Sequence, residues 1–168
     1  PDGRGWVNEQ GVVQQVDVCM GTLSKAFGAQ GGFVCGSEAL IQWAVNRARA
    51  YIYSTALSPA AVGAAHASLN IVGEEPDRRQ RLFERAERLW RGLGLHGQGP
   101  IVPLTVGEDA NALSLSASLW DAGLRAPAVR FPTVPKGAAR VRFSLTSDHT
   151  EAELDRVLLT VTQWRRNQ

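Results

Sequence analysis

Short apolar runs alternate with amphipathic stretches along nearly the whole chain, and glycine- or proline-rich segments separate them. This alternation restricts the fold more than any other feature, because strands and helices in turn produce a layered α/β architecture. Val12 to Met20 predicts a short buried strand, and Gly31-Gly-Phe-Val-Cys-Gly36 a second one flanked by turns. Ser37 is placed to cap a helix running to about Ala50, with Glu38 in its first turn. Tyr51 to Ser54 reads as extended. Ser58-Pro59 then opens an alanine-rich helix to about Val72, with proline at a tolerated first-turn position.

Glu74-Glu-Pro-Asp77 breaks the chain, and Asp77 is the expected cap of the next helix. There Arg78, Arg79, Arg81, Arg85, Arg88 and Arg91 interleave with Leu82, Phe83, Ala86, Leu89, Trp90 and Leu93 at helical spacing. One face is apolar and the other wet. Ile101 to Val106 predicts a strand, Asp109 or Asn111 a helix start, and Gly123 its stop. Arg125 to Gly137 reads as a structured loop. Ala139 to Leu145 alternates as a strand that sets Arg140, Arg142 and Ser144 on one face. Ser147 or Thr150 is placed to cap a last helix ending near Trp164, and Thr150-Glu-Ala-Glu153 matches a capping box. The domain boundary falls near Asp77–Arg78, giving residues 1–77 and 78–168.

Several function classes recede. A formal net charge of +2, with the arginines diluted by Glu84 and Glu87, does not suit nucleic acid. No stretch approaches the roughly 20 apolar residues that span a bilayer. The first residues show neither a signal peptide nor a transit pattern. Cys19 and Cys35 have no metal-ligand spacing and read as buried, reduced thiols, which points to the cytoplasm. No metal is expected. His66 and His96 read as structural or exposed, His149 as a helix-start or packing residue, and Arg140 as the partner of a surface acid.

One imbalance is informative: the chain has 16 arginines and only two lysines, Lys25 and Lys136. A lysine retained in so arginine-rich a chain suggests a task arginine cannot perform, such as attacking a carbonyl as a neutral amine. Lys136 reads as a surface turn. Lys25 stands in Gly21-Thr-Leu-Ser-Lys-Ala-Phe-Gly28, where glycines let backbone amides approach an anion and Thr22 and Ser24 add hydroxyl donors. Neither a Walker loop nor a dinucleotide fingerprint is present. Local chemistry alone leaves Lys25 divided between an imine-forming role, a phosphate contact and a plain loop.

The segment Val16-Asp-Val-Cys-Met-Gly-Thr-Leu-Ser-Lys25-Ala-Phe-Gly-Ala-Gln-Gly-Gly32 resembles the cofactor-lysine segment of the α-oxoamine synthases. These are fold-type I pyridoxal phosphate (PLP) enzymes that condense an amino acid with an acyl thioester. Asn46 to Pro59, which contains Tyr51-Ile-Tyr-Ser-Thr55, resembles a second family segment. Arg130-Phe-Pro-Thr-Val-Pro-Lys-Gly137, continuing through Arg140-Val-Arg-Phe-Ser-Leu-Thr146 and His149-Thr150, resembles the C-terminal signature. The three matches occur in family order across nearly the whole chain.

The resemblance implies the C-terminal part of a large PLP-binding domain followed by a small C-terminal α/β domain. It implies that Lys25 holds PLP as a Schiff base and later removes the substrate's α-proton. Thr22, with Ser24 the weaker candidate, would donate to the cofactor phosphate. Thr55, with Ser54, would reach the phosphate of a neighbouring subunit, so the site would lie at a homodimer interface. Arg142 would hold the substrate carboxylate, and Arg130 is a second candidate for that anion. Within the family, the C-terminal run sits nearest the member that joins L-alanine to a pimeloyl thioester (the CoA or carrier-protein form) in biotin biosynthesis, releasing CO2. Members making 5-aminolevulinate usually carry asparagine where Arg130 stands. Those making 2-amino-3-ketobutyrate, and the serine palmitoyltransferases, differ elsewhere in this run. The family's aspartate for the pyridine nitrogen and its stacking histidine lie upstream of what resembles Pro1–Gly5. The expectation is therefore the C-terminal half of an enzyme, inactive without its N-terminal half. The alternatives are a sibling of the family (one making 2-amino-3-ketobutyrate or 5-aminolevulinate, or a serine palmitoyltransferase) and a non-catalytic subunit that completes a dimer.

Overall fold

The computed structural model describes residues 3–168. The chain divides into two compact units, Pro1–Pro76 and Asp77–Gln168.

In the first unit a short helix α1 (Trp6–Glu9) and a 3-10 turn (Val13–Gln15) precede strand β1 (Val18–Thr22). β1 pairs antiparallel with β2 (Gly32–Gly36) from Val18 opposite Gly36 to Thr22 opposite Gly32. Then come α2 (Glu38–Arg47), α3 (Arg49–Ile52) and α4 (Pro59–Glu74). Ser37 and Ser58 act as expected, their hydroxyls accepting from the Leu40 and Ala61 amides. Each satisfies a helix-start N–H that would otherwise lack a partner.

Two local readings are corrected. The strand expected from Val12 starts only at Val18, because the valines before it lie in the 3-10 turn. Tyr51 and Ile52 belong to helix α3, although aromatic and β-branched residues favour extended backbone. The thiols are corrected as well: Cys19 and Cys35 are both free and exposed. Among the described residues, none of this unit is fully buried. Trp6, Met20, Trp43, Tyr51 and Tyr53 are each more than 60% exposed, an apolar surface of the kind that mates with further structure.

The second unit has a core. Helix α5 (Pro76–Gly92) starts at Pro76, so Asp77 lies in its first turn instead of capping it. β3 (Ile101–Gly107), α6 (Asp109–Asp121), β4 (Ala128–Val129), β5 (Ala139–Ser144) and α7 (Glu151–Arg166) follow. The sheet order is β3-β5-β4, with both pairings antiparallel. The short β4 lies inside the segment expected to be loop. Gly123, at φ 76°, stops α6 as expected from its freedom in the left-handed region. Leu89 from α5, Val102 from β3, Leu115 and Leu119 from α6, Val141 from β5 and Val161 from α7 all share one buried cluster. β5 alternates as expected: Ala139, Val141 and Phe143 face this core, and Arg140, Arg142 and Ser144 face away from it.

Arginines on α5 fasten the start of α7. Arg88 bridges to Glu151 and Asp155, Arg78 pairs with Asp148, and an Arg85 guanidinium N–H donates to the Ser147 carbonyl. The arginine-rich face is therefore wet yet used within the fold. The capping box is complete. Thr150 Oγ1 accepts from the Glu153 amide, and the Glu153 carboxylate accepts from the Thr150 amide at 2.7 Å. We expect Thr150→Ala to cost about 1 kcal/mol of unfolding free energy, read by urea denaturation.

The hydrogen bonds from the Thr150 backbone and hydroxyl hold the Glu153 carboxyl below its ordinary range. A carboxyl depressed on folding stabilises the fold above its unfolded pKa of about 4.3, and that contribution is lost as pH falls through the lower folded value. Stability of the wild-type chain should therefore drop on acidification below about pH 4, and Glu153→Gln should flatten that limb. An unchanged acid limb in the variant would refute the assignment to Glu153.

Candidate functional site

β1 delivers the chain into a closed loop between Leu23 and Gly31. The Leu23 amide donates to the Gly31 carbonyl at 2.9 Å, and the Ala29 amide donates to the Leu23 carbonyl at 2.8 Å. Inside it, the Gly28 amide donates to the Lys25 carbonyl at 3.0 Å. Gly28 (φ 59°) and Gly31 (φ 108°) both occupy backbone that side chains rarely adopt. Gly31 has a second reason to be glycine, because a Cβ there would stand 2.6 Å from Leu57 Cδ1. Ser68 on α4 donates to the Phe27 carbonyl at 2.7 Å and ties the loop to that helix. Sequence reasoning missed Ser68, since a serine inside an alanine-rich helix gives no local sign of a partner 41 residues away.

This loop brings Thr22, Ser24 and Lys25 together. Thr22 Oγ1 and Ser24 Oγ lie 2.9 Å apart, and the Ser24 amide donates to Thr22 Oγ1 at 3.2 Å. Lys25 Nζ donates to Ser24 Oγ at 3.3 Å. All three residues are exposed. Two hydroxyls that can rotate outward and one amine form a donor set fitted to a phosphate, and the same amine can condense with an aldehyde. The residues present therefore fit a phosphorylated aldehyde cofactor.

Ser54 and Thr55 lie between α3 and α4, in a cleft shared with Gly32, Tyr51, Ile52 and Leu57. Among the described residues, no hydrogen bond joins them to the Lys25 cluster. Arg142 and Arg130 belong to the second unit. The Arg142 amide donates to the Pro127 carbonyl at 3.1 Å, and its exposed side chain leaves the coreless face of β5. Arg130 follows β4, where its carbonyl accepts from the Thr133 and Val134 amides. Val129, the residue before it, pairs with Arg140, two residues from Arg142 on β5. Arg140, expected to meet a surface acid, instead donates through Nε to its neighbour Ala138's carbonyl. Lys136 lies 5.4 Å over the Phe131 ring, a cation–π contact in an exposed turn.

His149 acts locally, at the start of α7. Its Nδ1 accepts from the Thr146 amide at 2.9 Å. Among the described residues no cluster of His, Cys, Asp or Glu could hold a metal ion, and no helix is long and apolar enough to cross a membrane.

Residues 4–161 match the sequence profile of the family described as aminotransferase class I and II. The 8-amino-7-oxononanoate synthase of Thioalkalivibrio sulfidiphilus is 47% identical over 151 residues, covering 86% of this chain and 38% of that protein. A serine palmitoyltransferase from S. paucimobilis, solved with PLP and myriocin bound, superposes with a TM-score of 0.91 at 29% identity. That match covers 99% of this chain and 44% of the other. The 8-amino-7-oxononanoate synthase of Francisella tularensis gives 0.86 at 28% identity, over 99% of this chain and 51% of that one. The chain spans between 38% and 44% of the length of the curated relatives it matches.

The resemblance to α-oxoamine synthases thus holds, and the α/β architecture is that of the C-terminal part of fold-type I PLP enzymes. With the profile matched over almost its full length, the chain belongs to the aminotransferase class I and II family.

Proposed function

We propose that this chain is the cofactor-lysine part of a PLP-dependent acyltransferase that condenses L-alanine with a pimeloyl thioester, releasing the thiol carrier and CO2. The observation that carries the proposal is the Thr22–Ser24–Lys25 cluster on a loop held closed by its own backbone. When bound, PLP supplies an electron sink that acidifies the α-carbon of an attached amino acid. In this reading Thr22 Oγ1 and Ser24 Oγ donate to the phosphate oxygens, and Lys25 Nζ anchors the cofactor and later accepts the α-proton. Arg142 holds the substrate carboxylate through its planar fork, and Arg130 is the second anion contact. Ser54 and Thr55 serve the phosphate of a partner subunit in a homodimer.

An amine that is to accept a proton must first be neutral, which desolvation or a neighbouring positive charge favours. Lys25 is exposed within its own unit. That supports a site completed by an N-terminal half, without which the chain is inactive. We place the boundary between the large and small domains after residue 77, and the enzyme in the cytoplasm. Likeness to serine palmitoyltransferase and to the oxononanoate synthase is similar in shape, since both share the fold. The 47% identity to a curated oxononanoate synthase favours the biotin-pathway substrates.

The test is the assembled enzyme given alanine and pimeloyl-CoA, with free CoA and the amino ketone measured together. CoA release with glycine or serine but not alanine would overturn the substrate assignment. Arg142→Ala should raise the KM for the amino acid about 10- to 100-fold, the loss of one charge-assisted hydrogen-bonded pair. A variant with unchanged KM would remove Arg142 from the site.

A further inference from the structure

The peptide unit joining Phe27 to Gly28 is held at both ends. Its N–H, on Gly28, donates to the carbonyl of Lys25 itself at 3.0 Å. Its C=O, on Phe27, accepts from the Ser68 hydroxyl at 2.7 Å. A planar trans peptide points these two groups in opposite directions, so one rotation of the unit breaks both bonds. Gly28, at φ 59°, opposes such a rotation less than another residue would, because glycine takes either sign of φ with similar ease. The Ser68 bond supplies the restraint that the backbone at Gly28 lacks.

Ser68 lies within α4, whose start Ser58 caps. A hydroxyl inside a helix commonly returns to the carbonyl four residues back, as those of Ser118, Thr160 and Thr162 do in the second unit. The Ser68 hydroxyl has one proton to donate and directs it to the Lys25 loop, 41 residues away in sequence. Leu23 and Phe27 of that loop and Val62, Ala65 and Leu69 of α4 line one cleft. Leu57, just ahead of α4, stands against Gly31 at the far end of the loop. All these partners belong to the first unit, and a half-buried Ser68 needs no open surface to make its bond.

We propose that Ser68 is a positioning residue for Lys25, acting through the Phe27–Gly28 peptide. This role rests on the reading of Lys25 as the cofactor lysine and adds what holds it in place. Lysine carries its amine on a flexible four-carbon stem, so its approach to a carbonyl depends on where the backbone starts it. Holding the Lys25 carbonyl through one locked peptide fixes that starting point. A displacement of about 1 Å at a reacting group costs on the order of 100-fold in rate.

The experiment compares the assembled wild-type enzyme with Ser68→Ala and Ser68→Thr. After cofactor removal, the rate at which Lys25 captures added PLP is followed by borohydride trapping. Turnover is measured with the amino acid varied, and deuterium exchange is resolved to single loop amides. Ser68→Ala should slow capture and kcat by about 10- to 100-fold while KM for the amino acid stays nearly constant. Exchange should quicken at the Gly28 amide but not at the Ala29 amide, whose acceptor is the Leu23 carbonyl. Ser68→Thr keeps the hydroxyl and should restore all of these. A threonine variant as slow as the alanine one overturns the proposal. So does an alanine variant whose Gly28 and Ala29 amides quicken together as KM rises, the pattern of a loosened fold. If wild-type Lys25 takes no label, the cofactor reading falls and this role falls with it. A labelled wild type beside an unaltered alanine variant sinks the role of Ser68 alone.

Discussion

With Lys25 replaced by alanine, borohydride treatment of the cofactor-loaded enzyme should leave no pyridoxyl group on the chain. The wild type should carry one, on the peptide containing Lys25. The same substitution should lower turnover by about 10²–10⁴-fold through loss of the proton acceptor alone, before any loss from weaker cofactor retention. Arginine at this position should not rescue, because a guanidinium stays protonated and does not form an imine. Thr22→Ala offers the internal comparison. It removes one hydroxyl of the pair spaced at 2.9 Å and leaves the amine, so it should weaken PLP affinity while borohydride still fixes the cofactor on Lys25. If the label appears in the Lys25→Ala chain, on Lys136 or elsewhere, the site assignment fails.

The second large effect concerns stability. Leu115 is completely buried, midway along α6. It packs in the cluster that also holds Leu119, Val141 and Val161. Leu115→Ala should cost about 2–5 kcal/mol, combining lost transfer free energy with an unfilled cavity. For a unit of this size that corresponds to a melting point lowered by about 10 °C or more. A comparable truncation in the first unit, Leu69→Ala, should change the melting point of the chain much less. Leu69 is 56% exposed in the described structure, so little apolar burial is lost. Thermal melts followed by circular dichroism separate the two expectations. Equal shifts would contradict the concentration of the core in residues 77–168.

What could be read from the sequence divides along physical lines. Ser37, the Ser58-Pro59 start, the Thr150–Glu153 box and the Gly123 stop were legible because each is a local device, with both partners within a few residues. The Lys25 cluster was legible for the same reason, since Thr22, Ser24 and Lys25 meet along three bonds of short sequence range. Val12–Val16 misled because apolar content does not distinguish a 3-10 turn from a strand start. Tyr51 misled because its aromatic neighbours outweighed a helical turn made by the backbone. Burial of the cysteines was inferred from residue type, whereas exposure depends on what covers a strand, and in the first unit nothing described does. The Ser68 tether and the clasp of Arg88 on Glu151 and Asp155 needed the folded chain, because their partners are separated by dozens of residues.

The distribution of buried residues also has a calorimetric consequence. Heat capacity rises on unfolding mainly because apolar surface becomes hydrated. The first unit already presents Trp6, Met20, Trp43, Tyr51 and Tyr53 to solvent. Its apolar groups therefore have less further hydration to gain when it melts than the core residues of the second unit. The heat-capacity increment of this chain alone should fall below the value scaled to 168 residues. Its stability curve should be correspondingly shallow, with weaker loss of stability toward low temperature than its length would suggest.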